Sequence, residues 1–257
     1  MLTHQPYPIL EFDPNPQAKL SASQIVANKT QLPERCVITF FREALQKLAA
    51  DESLPQLGWL RSEIADLPIY RAVVEGEEIA VTLSFLGSAG AAGVLEELHA
   101  MGTNRFIVCG GAGCLVPGLD TGRLILPTCA VRDEGASYHY LPPAREVSCD
   151  PNALQRVKDE LERLSVPYQQ GKTWTTDAIY RETEDKIALR ASEGCLTVEM
   201  ECAAFFAVSR FLSLPLVQLL YAGDDLSGES WDQRAWNQQY TTRENLLRLS
   251  IMLAGRL

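Results

Sequence analysis

The sequence predicts an α/β protein, a single domain in which a sheet is flanked by helices. Three observations predict it. Short β-like apolar runs alternate along the chain with longer stretches of helical periodicity, the pattern of strands joined by crossover helices. The chain has 257 residues, 46% of them apolar, enough to bury one sizeable core. No stretch shows the composition shift or Gly/Ser tract of a linker, and there is no internal repeat.

Four of the 14 prolines fall within the first 16 residues, so residues 1–35 are expected to form an irregular arm lying over a domain that spans 36–257. Within the domain, short apolar runs rich in Val, Ile and Thr read as strands and longer periodic runs as helices. CVITF (36–40) is a strand and REALQKLAA (42–50) a helix. IAVTLSF (79–85) is a strand that enters a helix, SAGAAGVLEELHAMG (88–102), with an apolar face at Val94, Leu95, Leu98 and Met101. FIVCG (106–110) and RLILP (123–127) are strands, and PNALQRVKDELERL (151–164) is a helix. KTWTT (172–176) is a strand, followed by a helix over about 182–193 and a strand TVEM (197–200). A helix ECAAFFAVSRFL (201–212), a strand PLVQLLYA (215–222) and a helix TRENLLRLSIMLAG (242–255) complete the domain.

Lys and Arg total 23 against 33 Asp and Glu, a net charge of −10. Duplex nucleic acid and anionic membrane surfaces are therefore excluded as partners, although a local basic pocket can still hold a small anion. The start lacks a basic segment followed by an apolar core, and no apolar run reaches membrane-spanning length, so a cytoplasmic protein is expected. The seven cysteines are odd in number and scattered, with no C-x-x-C pair. They are expected to be reduced core residues, with no metal site.

In open α/β sheets, ligands collect at the carboxyl ends of strands, and the polar motifs of this chain lie at such ends. CGGAGCL (109–115) follows an apolar strand and reads as a turn whose glycines let the backbone approach a ligand and offer N–H groups to an anion or a sugar. It is neither a G-x-G-x-x-G fingerprint nor a P-loop. Ser88 stands where a strand enters a helix and can cap it. TTDAIYRET (175–183) is a polar loop after a strand. In GDDLSG (223–228), paired acids at a strand end are placed to supply a proton donor. TVEMECAAFFAV (197–208) raises a sharper question, because two acids border an apolar helix. One acid near the first turn suits the helix dipole, but two exceed that need. On a strand-like segment Glu199 and Glu201 point the same way, and an ionised carboxylate accepts from two donors at once. That chemistry suits the vicinal hydroxyls of a sugar.

Taken in order, GSAGAAGVLEEL, FIVCGGAG, GRLILPT, DEGASYHYLP, TTDAIYRET, VEMECAAFFAV and AGDDLSG resemble the nucleoside phosphorylase family of hexameric purine nucleoside phosphorylases, uridine phosphorylases and related nucleosidases. The resemblance covers residues 36 to 256. It implies a nucleoside phosphorylase-like, three-layer α/β/α fold with a mixed central sheet, and cleavage of a ribosyl N-glycosidic bond, with inorganic phosphate as co-substrate and no other cofactor. By that resemblance Glu201 holds the ribose hydroxyls, Met200 packs beneath the sugar and Glu199 supports the turn. Trp174 stacks on the base, Thr176 and Arg181 lie beside it, and Asp224 protonates or hydrogen-bonds the purine N7. Phosphate falls to Arg42, Gly110, Gly111 and Ser88. The resemblance also implies a homo-oligomer, between dimer and hexamer, whose partners are a nucleoside and phosphate.

The chain departs from the family pattern where phosphate is bound. The G-D-P-x-R loop is reduced to Arg42, an expected strand arginine is Val108, and an expected Ser or Thr is Gly111. Phosphorolysis of a purine nucleoside is the first reading. Hydrolysis, with a carboxylate such as Glu43 activating water, is the second, and a nucleoside-binding protein without chemistry is the third.

Overall fold

Ten strands hydrogen-bond into one mixed sheet, and helices flank it; the computed structural model describes residues 2–27 and 29–257. The strands are β1 (Arg35–Thr39), β2 (Gln56–Arg61), β3 (Asp66–Val74), β4 (Glu77–Leu83), β5 (Arg105–Cys114), β6 (Leu124–Asp133), β7 (Glu146–Ser148), β8 (Tyr168–Thr176), β9 (Cys195–Glu199) and β10 (Leu216–Asp225). The helices are α1 (Ala22–Val26), α2 (Arg42–Asp51), α3 (Ser88–Ala100), α4 (Pro151–Arg163), α5 (Glu184–Ser192), α6 (Cys202–Phe211) and α7 (Tyr240–Ala254).

From the β2 edge the order runs β2, β3, β4, β1, β5, with β1 parallel to both β4 and β5. Beyond β5 the sheet closes on itself: β5 pairs with β10, β10 with β6, β6 with β8, β8 with β9, and β9 returns to β5. This ring brings the last residues of several strands together, because Gly113 pairs with Val198 and Cys114 with both Thr197 and Asp225. The middle of β1 and the adjoining part of β5 lie inside the core, with Val37, Ile38, Phe106, Ile107 and Val108 wholly buried.

Helix α6 is apolar on every side because it is buried on every side. Cys202 through Ser209 are all inaccessible, and α6 packs on α3 and on β6, β7, β8 and β10. Helix α4 is the amphipathic opposite: Pro151 opens it, the Asp150 carboxylate accepts from Ala153 N–H at 2.6 Å, and Ala153, Val157 and Leu161 face inward. Helix α7 packs against α2 and over β1 and β5. All seven cysteines are buried and unpaired. No helix among the described residues is long and apolar enough to cross a membrane.

The expected arm is largely exposed and contains only the 3-10 turn Pro8–Leu10 and the short α1, whose Ser21 N–H donates to Gln24 Oε1. It is fastened at Leu32, whose N–H donates to the Met101 carbonyl. Three strands escaped the sequence reading: β2, β3 and β7. The glycine cluster also differs from expectation. Residues Gly110 to Cys114 are not a turn but the second half of β5, paired with β10 and β9. The glycines are there for space. A Cβ at Gly111 would lie 2.9 Å from two ring atoms of Tyr221, and one at Gly113 would lie 2.5 Å from Leu226 Cδ1.

Leu226 can rotate away, whereas the Tyr221 ring is held on one face by Phe41 at 5.8 Å between centroids. Gly111→Ala is therefore expected to cost about 1–3 kcal/mol through overpacking. Denaturant unfolding checks this, and the penalty should shrink when Gly111→Ala is combined with Tyr221→Leu in a double-mutant cycle.

Candidate active site

The site is assembled where β9 runs into α6. Strand β9 ends at Glu199, so the two-residue alternation expected to aim Glu199 and Glu201 alike stops between them, and the two carboxylates find different partners. Glu199 turns under the first turn of α6. Its Oε2 accepts from Glu201 N–H at 2.7 Å and Cys202 N–H at 2.6 Å, and its Oε1 from Thr175 Oγ1 at 2.6 Å. Thr175 Oγ1 in turn accepts from Ala203 N–H at 2.9 Å. Three orphan N–H groups of a buried helix end are thereby satisfied without water.

Glu201 points instead to the start of α3. Its Oε1 accepts from Gly87 N–H at 2.6 Å, where Gly87 adopts φ +85°. One residue on, Ser88 Oγ donates to the Met200 carbonyl at 2.7 Å. These two bonds join the β9–α6 turn to the β4–α3 turn. Glu201 is only 5% exposed, and burial followed by the neighbouring Glu199 charge pushes its carboxyl well above the ordinary range. Glu199 is raised too, by burial, against the pull of its hydrogen-bond donors. With three donors on its carboxylate, Glu199 is the better stabilised anion of the pair, and Glu201 carries the larger share of the strain.

The loop after β8 brings two further acids into this neighbourhood. Asp177 accepts from Gly135 N–H at 2.8 Å, and its charge reaches Glu201. Glu182 is held at about 7 by burial and by the charge of Asp224. Asp224, at the end of β10, is partly exposed and accepts from Trp231 Nε1 at 2.7 Å. The neighbouring Asp225 is structural: it pairs with Arg234, caps Ser227 N–H at 2.8 Å and bridges its backbone to Asp232. The doublet thus divides into one acid left partly exposed beside Trp231 and one that fastens the turn.

Among the expected base contacts, Trp174 requires correction. It is wholly buried, its Nε1 donates to Asp133 at 3.1 Å, and Lys186 and Arg190 lie 5.7 and 5.4 Å from its ring centroid. It packs with Leu115, Val131, Cys195 and Val198 and has no face free for a base. Thr176 is likewise buried, and its Oγ1 accepts from Ala178 N–H. Arg181 is exposed in the 3-10 turn Ile179–Arg181. Met200 is half-buried in the bend between the two acids.

Among the expected phosphate contacts, Ser88 is 1% exposed with its hydroxyl already committed to Met200, so it clamps the turn. Gly110 is buried against the Phe40 ring, while Gly111 is exposed beside Tyr221. Val108 is fully buried, paired across the sheet with Ile38 and Gln218. Arg42 is exposed at the start of α2 and lines two cavities, of about 390 and 240 Å³. Neither cavity reaches Glu199, Glu201 or Asp224. Asp177, Glu182 and Trp231, which the structure brings beside the candidate acids, were not singled out from the sequence. The first two stand in a loop whose polarity after a strand was a visible signal, whereas Trp231 lies in an aperiodic stretch that carries none.

The mixed sheet flanked by helices is a fold shared with nucleoside phosphorylases and nucleosidases. Residues 34–254 match the phosphorylase superfamily, and the chain belongs to it. Over 135 residues it is 31% identical to a uridine phosphorylase of Thermococcus kodakarensis, covering 50% of this chain and 49% of that one. Over 142 residues it is 28% identical to a guanosine phosphorylase of Halorubrum lacusprofundi, covering 55% of this chain and 59% of that one. The matched part thus spans about half the length of these curated relatives. The fold is shared with purine nucleoside phosphorylase of Toxoplasma gondii in complex with immucillin-H, at 20% identity and a TM-score of 0.75 over 88% of this chain and 91% of that one. It is shared also with AMP nucleosidase of Bacteroides thetaiotaomicron, at 24% identity and a TM-score of 0.72 over 91% and 96% of the two chains.

The two acids make stability depend on pH. A carboxyl whose folded pKa is raised binds its proton more tightly in the folded state, so its contribution is present in full below the unfolded value near 4.5 and is lost as pH rises toward about 8. Glu201→Gln removes that loss while keeping an oxygen for Gly87 N–H. Its melting temperature relative to wild type should therefore rise between pH 5 and pH 8.5. Glu199→Gln should be destabilised throughout by about 1–3 kcal/mol, because an amide nitrogen then faces a buried N–H donor. Thermal melts of the two variants across that pH range check both signs.

Proposed function

We propose that this protein cleaves the N-glycosidic bond of purine ribonucleosides by phosphorolysis, releasing the base and ribose 1-phosphate. The observation that carries this reading is Glu201: a nearly buried carboxylate at the β9–α6 turn that accepts from backbone N–H groups, Gly87 among them, and has the acceptor capacity to take a diol as well. The ribose 2′- and 3′-hydroxyls donate to Glu201, and Met200 lies against the sugar. As the bond from C1′ to the base nitrogen breaks, its electron pair passes to the base and positive charge develops on the ribosyl ring, which the carboxylates stabilise. Asp224 meets the departing purine at N7 with a proton or a hydrogen bond, and Glu182 beside it, at about 7, is a proton source at neutral pH. Phosphate, bound near Arg42, then forms the new C1′–O bond.

Two observations bear on the alternatives. Asp224 favours a purine, although both uridine and guanosine phosphorylases are among the relatives. Hydrolysis gains support from Glu43, which lines the larger cavity beside Arg42 and could activate water there. We also propose a homo-oligomer, supported by the apolar side chains that the arm exposes at Leu2, Tyr7, Leu20 and Ile25. Light scattering behind a sizing column should give at least a dimeric mass, and a fully active monomer would refute it.

Incubation with inosine, guanosine and uridine, with and without phosphate, tests the reaction. Cleavage should rise with phosphate and yield ribose 1-phosphate; free ribose at a phosphate-independent rate would make the enzyme a nucleosidase. Glu201→Gln should lower kcat/KM by at least about tenfold, the effect of losing roughly 1.5 kcal/mol of charged hydrogen bonding. Asp224→Asn should slow purine nucleosides and spare substrates whose base leaves without protonation. Equal losses on both would count against a leaving-group role.

A further inference from the structure

The cavity of about 390 Å³ is bounded by the starts of two helices, α2 and α7, and by Phe40, Phe41, Arg42, Lys47, Tyr240 and Arg243. Its charges are unevenly resolved. Lys47 is paired with Asp51 at 2.8 Å and with Glu244 at 3.3 Å. Arg42 and Arg243 form no ion pair among the described residues, although most arginines of this acidic chain do. Arg243 is nevertheless held in place. Its Nε donates to Tyr221 Oη at 3.1 Å, its Nη2 donates to the Trp236 carbonyl at 2.7 Å, and its guanidinium lies 5.9 Å from the ring centroids of Phe41 and Trp236. All four partners are neutral, so the positive charge is oriented without being cancelled. Both arginines also stand in the first turn of a helix, where the backbone dipole disfavours a cation. Neither helix has a side-chain cap, and the lining carries two carboxylates, Glu43 and the Glu244 that pairs with Lys47, against the three cations Arg42, Lys47 and Arg243.

Two uncompensated guanidiniums at two helix starts, facing one cavity, describe the receptor for a small dianion. Tyr221 links this cavity to the sheet. Its hydroxyl lies 3.0 Å from where a Cβ of Gly111 would be, so the glycine leaves room for a hydroxyl that arrives from the neighbouring strand. We propose that Arg243, oriented by Tyr221 and acting with Arg42, is the second cationic ligand of inorganic phosphate in this protein. Arg243 takes the role for which β5, with Val108, offers no cation. This assignment rests on the phosphorolytic reading above and extends it to the C-terminal helix.

The test is a phosphate titration at saturating nucleoside on Arg243→Met, Arg243→Lys and Tyr221→Phe. Arg243→Met should raise the KM for phosphate about 10- to 100-fold, as expected for the loss of hydrogen bonds to a charged group, while the nucleoside KM at saturating phosphate stays near wild type. Arg243→Lys should recover part of the loss through its charge, and Tyr221→Phe should show a smaller rise because the guanidinium loses a brace. A folded Arg243→Met with the wild-type phosphate KM would overturn the assignment while leaving the proposed reaction intact. Should Arg243→Met fail to fold, Arg42→Ala supplies the second measurement, since Arg42 is exposed. Phosphate should raise the melting temperature of wild type, sulfate should do so more weakly, and Arg42→Ala should lose the rise. A wild-type rise fully retained in Arg42→Ala would also overturn the assignment. Because it reads binding without turnover, this shift separates failure of the anion site from failure of phosphorolysis.

Discussion

The carboxylate of Glu199 is bound by two backbone N–H groups of α6 and one hydroxyl from β8, and the rest of the site hangs on that clasp. A helix buried on all sides begins with donors that water does not reach, and leaving them unmet would cost about 1–3 kcal/mol each. Glu199 meets two of them, and Thr175, held by Glu199, meets a third at Ala203. The bend that this clasp creates is what carries Glu201 away from the strand face and delivers it to Gly87. The position of Glu199 therefore sets that of Glu201. Two buried carboxylates two residues apart are expensive for the fold: burial raises both, the charge of Glu199 raises Glu201 further, and that of Glu134 raises Glu199. A diol that donates to Glu201 would repay part of that electrostatic strain by stabilising the ionised form.

A second constraint comes from β5. Its glycines admit side chains from three directions: Phe40 against Gly110, Tyr221 against Gly111, and Leu226 with Val198 against Gly113. Without those close approaches the ring of β5, β10, β6, β8 and β9 would be forced apart at its most crowded strand. The same crowding places Asp224, whose Oδ1 lies 3.5 Å from the space a Gly113 Cβ would take. The small residues serve the packing of the strands, and the site inherits its shape from that packing.

Most of the fold was legible in the sequence because buried parallel strands and the helices between them carry strong apolar patterns. β1, β4, β5 and β10 were recognised from Val- and Ile-rich runs, and α3, α4 and α6 from their length and periodicity. β2 and β3 were missed because they form the exposed edge of the sheet: β2 has a single buried residue, and neither shows sustained alternation. The glycine run was misread as a turn because glycine depresses strand propensity, and only tertiary neighbours reveal why it is tolerated. Within the candidate site, the placing of the acids at the β9–α6 junction and at the end of β10 was legible, while the separate partners of Glu199 and Glu201 were not. Trp174 was not, since its position along the chain matched a base contact while the hydrogen bond to Asp133 and the cations over its ring appear only in three dimensions. A strand residue shows its face only when its neighbours are known.

The charge balance of the chain gives the arginines their meaning. With a net charge of −10, an unneutralised guanidinium is the exception, and the protein keeps two at one cavity while fixing one of them with carbonyl, phenol and ring contacts. A carboxylate partner would hold Arg243 as firmly, but it would also cancel the potential that attracts an anion. Neutral bracing holds the geometry and leaves the field in place. It also reduces the rearrangement needed when an anion arrives, because a pre-aimed guanidinium surrenders little rotamer freedom on binding. The same reasoning explains why Val108 is compatible with anion binding elsewhere: buried between Ile38 and Gln218, a cation on β5 would bear a desolvation cost of several kcal/mol unless an anion were always present. At the start of α7 Arg243 is half-exposed, so its charge keeps a share of the hydration that a cation at position 108 would lose.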